Sequence, residues 1–153
     1  MDSVACRESA KKLYDEAFEL LNKPQRTEDE NFRLIHSAHS SICFWAIVGT
    51  PLHVVRGERF LSRVYTTLGM HESAIVHAKR SVTLCEENVL SSAETALSWD
   101  AAARAAYSGG SFDEYLEYNK KAELIYTGLE NSDGYEVLLR RVNDGDDIIS
   151  IRM

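Results

Sequence analysis

Arg56, Arg59 and Arg63 recur three and four residues apart, so a helix through them would carry three guanidinium groups on one face. Guanidinium binds carboxylate or phosphate in a bidentate fork, which makes such a face suited to an acidic segment of a partner protein. Asp100, Arg104 and Tyr107 form a comparable row forty-odd residues later. The formal net charge is −7, so any basic surface is local. A general nucleic-acid binder would need a broad basic face to displace counterions, and none is expected here. The alternative for the same residues is a solvated charged face, with Glu58 and Asp100 as ion-pair partners and Asp100–Arg104 at the helical i, i+4 spacing.

His36, His39, Glu58 and His77 form a second set. His39 and Glu58 fall on otherwise apolar stripes, where burial demands a polar partner. Imidazole and carboxylate could serve as metal ligands or as a proton-transfer pair. Against this stands a hydrogen-bonded network that fixes helix register. Two histidines at i, i+3 lack the intervening signature of a metal-binding helix, and no metal is assigned. The aromatic residues Trp45, Trp99, Tyr115 and Tyr126 are expected in the core, with Tyr107 or Tyr118 free to reach a groove. His53 and His71 are expected to be exposed. No phosphate-binding loop, nucleophile elbow or paired-cysteine zinc motif occurs, so the chain reads as a non-enzyme without cofactor.

The elements that must position these groups read as helices. Only two prolines and eight glycines occur in 153 residues, too few for a chain of many short strands. Apolar stripes predict a first helix over Ser3 to Asn22, stopped before Pro24, and a second along Phe32, Ile35, His39, Ile42 and Ala46. Thr27 and Glu30 are spaced as a capping box for the second helix. Pro51 suits the first turn of a third helix, closed by Gly69. A fourth helix starts near His71, and an alanine-rich fifth runs to Gly109-Gly110. A sixth follows Ser111 with Phe112, Tyr115, Leu116, Ala122, Tyr126 and Leu129 inward. A short seventh would start at Ser132 or Asp133, and residues 143–153 would form a docked or flexible tail.

Gly69 and Gly110 lie 41 residues apart, each between two helices, and the same interval back from Gly69 reaches the first helix break. A fixed period of this size marks a stacked helical repeat. With Gly69 as the turn glycine, Leu61, Ser62, Tyr65 and Ala74 stand where the tetratricopeptide-repeat (TPR) motif has its leucine, small residue, tyrosine and small residue. Gly110, Ala102, Ala103 and Ala122 keep part of that pattern in the next hairpin. Tyr115, Ala106 and the missing terminal prolines depart from it. The chain therefore resembles the TPR family. The segment His36 to Gly69 is also similar to a bacterial protein group of unassigned activity.

The resemblance implies an all-α, right-handed solenoid of three antiparallel hairpins plus a seventh helix, as one domain over residues 1–153. It also implies a concave groove lined by Arg56, Arg59, Arg63, Asp100, Arg104 and Tyr107, and a protein or peptide partner. Self-pairing into a homodimer is a further expectation, and a small-molecule or metal site at His39/Glu58 is the alternative. No apolar run is long enough to span a membrane. The first residues lack a signal-peptide layout, and Cys6, Cys43 and Cys85 lack metal spacing. They read as reduced thiols of a cytoplasmic protein, Cys43 and Cys85 packed inside.

Overall fold

A computed structural model describes residues 2–129, and these form six α-helices with no strand among them. They are α1 (Ser3–Asn22), α2 (Glu28–Val48), α3 (Pro51–Thr67), α4 (His71–Glu87), α5 (Ser92–Ser108) and α6 (Phe112–Gly128). The expected seventh helix and the tail from residue 143 lie outside the described residues. No described helix is long and apolar enough to cross a membrane.

The helix ends follow the local chemistry. Thr27 Oγ1 accepts from the Glu30 amide at 3.2 Å while Glu30 accepts from the Thr27 amide at 2.9 Å, completing the capping box. Three helices finish alike. Amide bonds from Met70 to the Tyr65 carbonyl (2.8 Å) and from Gly69 to that of Thr66 (3.1 Å) close α3. Leu90 to Cys85 (2.9 Å) with Val89 to Glu86 (3.3 Å) closes α4, and Ser111 to Ala106 (2.9 Å) with Gly110 to Tyr107 (3.0 Å) closes α5. This double bond needs a left-handed residue at its corner. Gly69 (φ 73°) and Gly110 (φ 78°) supply it without strain, whereas Val89 (φ 51°) adopts it against the preference of a β-branched side chain.

Consecutive helices pack in pairs, α1 with α2, α3 with α4 and α5 with α6. α2 also lies on α3, α4 on α5, and α3 on α5. That leaves α3 surrounded: from Val55 to Tyr65 every residue is buried except Glu58 and Arg63. Tyr14 of α1 meets Phe60 with ring centroids 4.9 Å apart. Gly57 lets α2 approach closely, since a Cβ there would stand 2.5 Å from Ile42 Cγ1. α5 is nearly as enclosed. Its Ala96, Ala101, Ala102, Ala103, Ala105 and Ala106 allow neighbours on several sides at once.

Several expected positions shift. On α2 the inward face is Leu34, Ser37, Ala38, Ser41, Ile42 and Trp45, while Phe32 and Ala46 are exposed. The stripe chosen from apolar residues alone missed the two serines. Ser41 Oγ donates to the Ala10 carbonyl at 2.8 Å, so a hydroxyl is satisfied at the α1–α2 contact. On α6 only Tyr118 and Ala122 are buried, while Phe112 and Leu116 are exposed. Cys43 is exposed, against the expectation that it packs inside, while Cys85 is buried as expected and Cys6 is buried as well. His53 is buried rather than exposed. It stacks on Trp45 at 4.2 Å, and its Nδ1 accepts from the Thr50 amide at 3.0 Å. His71 is half-buried beneath Gly109, where a Cβ would come within 2.9 Å of its own.

Candidate functional site

The enclosure of α3 decides what its arginines do. Arg56 and Arg59 point into the contact with α5, at 6% and 2% exposure, where an unpaired cation would be costly. Glu94, in the first turn of α5, answers both. Arg56 Nη2 donates to its Oε1 at 2.7 Å and Arg59 Nη2 to its Oε2 at 2.5 Å. Arg59 Nη1 also donates to the Glu94 carbonyl (3.1 Å) and to Ser98 Oγ (3.2 Å). Burial pushes the Glu94 carboxyl up, but the two guanidiniums outweigh it and hold the group down at about 2. Arg56 and Arg59 thus do not form an open recognition row; they lock α3 to α5.

One turn on, the surface opens. A cleft of about 310 Å³ between α3 and α5 is lined by Arg59, Ser62, Arg63, Thr66, Thr67, Ala101 and Arg104. Arg63 is half-buried and the Arg104 side chain 45% exposed, its Nη2 4.0 Å from buried Asp100. Tyr107 is exposed but does not line the cleft. Its ring packs edge-on against Phe112 (5.8 Å) and Tyr115 (5.3 Å) instead. The structure therefore brings Arg63 and Arg104 together, keeps Asp100 at their side, and removes Arg56 and Tyr107 from the groove.

The second set assembles differently from its sequence pairing. His77 of α4 bonds through Nδ1 to Glu58 Oε2 at 2.6 Å, so the partner of Glu58 is a histidine and not an arginine. His39 of α2 bonds through Nε2 to the Tyr65 hydroxyl at 2.8 Å. The Tyr65 and His77 rings stack at 5.2 Å with a 9° interplanar angle, and His39 meets His77 edge-on at 5.3 Å. His36 is exposed, one turn before His39 on the same helix. Burial, followed by the charge of His77, lowers the His39 pKa against the opposing pull of Glu58. Burial raises that of Tyr65. Among the described residues no group of three or more His, Cys, Asp or Glu side chains is arranged to hold a metal. The arrangement ties α2, α3 and α4 together through two polar bonds and a ring stack.

Trp99, half-buried, stacks on buried Tyr118 at 5.5 Å with Lys121 Nζ 4.3 Å over its ring. Tyr118 thus belongs to the α5–α6 packing and not to a groove. Glu94 and Tyr65 are the residues that sequence reasoning left out of these sites. Glu94 was legible in principle, because it starts the stripe Glu94, Leu97, Ser98, Ala101 that faces the core. No family profile, curated protein or solved structure matches the chain.

Proposed function

We propose that the chain is a TPR-like right-handed solenoid of the cytoplasm that binds an acidic group of a partner protein in the α3–α5 cleft. Arg63 and Arg104 are its recognition residues. The observation that carries this reading is the cleft itself, where guanidiniums from two helices and the hydroxyl residues Ser62 and Thr66 border one concave space. Arg63 and Arg104 put guanidinium groups on the wall of this cleft, a local source of positive field within an acidic chain. Such a field steers and orients anionic partners. The 41-residue spacing of the Gly69 and Gly110 corners and the α3–α5 contact fit a solenoid in which these helices line the inner face. All three cysteines are free thiols, in keeping with a reducing compartment.

Arg59→Ala cannot test this reading, because it would leave Glu94 half-paired in the interior. Charge reversal at Arg63 and Arg104 can. A protein partner captured by the full chain should be lost on R63E/R104E and weakened steeply by salt, while the variant keeps its helical spectrum and cooperative melting. Capture that ignores both the reversal and the salt would sink the groove.

A further inference from the structure

The 41-residue interval belongs to the helices as well as to the corner glycines. Shifted by 41, α3 (Pro51–Thr67) falls on α5 (Ser92–Ser108), and α4 (His71–Glu87) on α6 (Phe112–Gly128), with both ends matching. Side-chain pairs shift with them. Glu58 and His77, bonded between α3 and α4, become Trp99 and Tyr118, stacked between α5 and α6. An interval that carries contacts along a helical repeat also specifies the next unit.

One more shift carries α5 onto residues 133–149, which lie outside the described chain. In sequence, Ser91, the N-cap of α5, becomes Ser132. The buried stripe Glu94, Leu97, Ser98 and Ala101 becomes Tyr135, Leu138, Leu139 and Val142, aromatic or aliphatic at every position. Trp99 and Asp100 become Arg140 and Arg141, the polar outer side that a terminal unit of a solenoid needs. On α6 the matching surface is present. Among the described helices α6 packs chiefly on α5, and only its Tyr118 and Ala122 are buried. Ile75 and Cys85 stand on the side of α4 that meets α5. Their counterparts on α6 are Leu116, 62% exposed, and Tyr126, half-buried.

Resting on the solenoid part of the reading above and not on its groove, we propose that this side of α6 is a docking face for the chain's own segment Ser132–Val142. The segment lies against α5 and α6 as α5 lies against α3 and α4. Its connection has the required length: residues 88–91 join α4 to α5, and residues 129–132 stand in the same place after α6. So short a link gives the segment a high effective concentration, against which a second copy would have to compete. Two contacts follow from the interval. Cys85 Sγ and Ser98 Oγ stand 3.6 Å apart, so Tyr126 meets Leu139. Arg59 meets Glu94, so Asp100 faces Tyr135, a carboxylate opposite a phenol donor.

The test is disulfide trapping in the full chain, with exposed Cys43 replaced by Ser. Under mild oxidation Y126C/L139C should close within one chain, because the equivalent side chains already touch. Y126C/R140C, turned by about 100° around the helix, should stay reduced. Native Cys85 with S98C reports the same contact one interval earlier. If that pair closes and Y126C/L139C does not, the docking is overturned and the repeat stands; closure of neither overturns both. A covalent dimer through Y126C/L139C gives the face to a second copy and likewise overturns the proposal. A second readout needs no added cysteine. Leu139→Asp should speed amide exchange from Asn119 to Tyr126 at least ~10-fold, the factor that one buried leucine supplies, while Arg140→Asp leaves it unchanged. Equal effects of the two substitutions would remove the segment from this face.

Discussion

Two stretches of one helix, a turn apart, use the same residue type for opposite purposes. Arg56 and Arg59 are buried on Glu94 and act within the fold, whereas Arg63 borders a cleft open to solvent. Nothing in their spacing separates them. The difference comes from the axial position at which α5 crosses α3. Where the helices touch, a charge must be matched inside the protein. Beyond Ser98, the Arg63 and Arg104 side chains border the cleft. An arginine row is therefore not a functional surface until the neighbouring helix has been placed against it.

The sharpest way to break this comparison is to remove the carboxylate that holds the buried end. Glu94→Gln keeps the shape but leaves two buried guanidiniums without their counter-charge. It should cost about 3–5 kcal/mol, the usual penalty for breaking a buried ion pair from one side. That is a large share of an ordinary domain's stability. Urea unfolding monitored by circular dichroism measures it. A loss below about 1 kcal/mol would mean that the pair is solvated and that the two stretches do not differ in kind.

The same carboxylate should be visible in acid. Its folded pKa of about 2 lies below the ordinary 4.5, so the unfolded chain takes up the proton first. Its stabilisation is complete above pH 4.5 and fades as pH falls from there toward 2, by roughly 3 kcal/mol for a shift of this size. Wild type should lose more stability than Glu94→Gln between pH 6 and pH 2.5. Parallel curves would show that Glu94 carries no such linkage.

How much of this was legible without coordinates depends on the range of the signal. Thr27 with Glu30, Pro51, Gly69 and Gly110 act within four residues of themselves, and each marks a helix boundary that the structure keeps. Val89 escaped because its left-handed corner is imposed by the α4–α5 connection and not by its side chain. The sites depend on longer reach. Glu94 is 38 and 35 residues from its two partners, and a glutamate in a first helical turn has an ordinary explanation in the helix dipole. The rule used for His39 and Glu58, that a charge on an apolar stripe needs a partner, would have pointed to Glu94 had its stripe been drawn through Ser98. On α2 and α6 the inward face was misjudged for a related reason. Serine can face the core once its hydroxyl is bonded, and apolar side chains such as Phe112 can face water.

A third region sharpens the contrast, because His39 is partly buried but held by a neutral partner. Tyr65→Phe removes the bond to His39 and should cost about 0.5–1.5 kcal/mol, well below the loss at Glu94. The pH dependence also runs through a different window. His39 titrates below the ordinary 6.5 in the folded chain, held down by burial and by His77 and His36 against the pull of Glu58. The unfolded chain therefore binds the proton first, and the contribution of His39, complete above pH 6.5, fades as pH falls below it. Melting temperatures at pH 7.5 and 5.5 should draw together in His39→Gln relative to wild type. An unchanged spread would remove His39 from the linkage.

At the open end the expected effect on folding is smallest. The Arg104 side chain is 45% exposed, and its Nη2 stands 4.0 Å from an oxygen of buried Asp100, a long i, i+4 pair that is open to solvent on the arginine side. Such pairs contribute about 0.3–0.5 kcal/mol, and salt screens them further. Arg104→Gln should thus leave the urea midpoint almost where it was while weakening capture of an acidic partner. The two readouts must separate: stability retained and binding lost places Arg104 on the recognition side of the comparison. If Arg104→Gln destabilises the chain as strongly as Glu94→Gln, the cleft is a second internal lock and the functional surface lies elsewhere on the molecule.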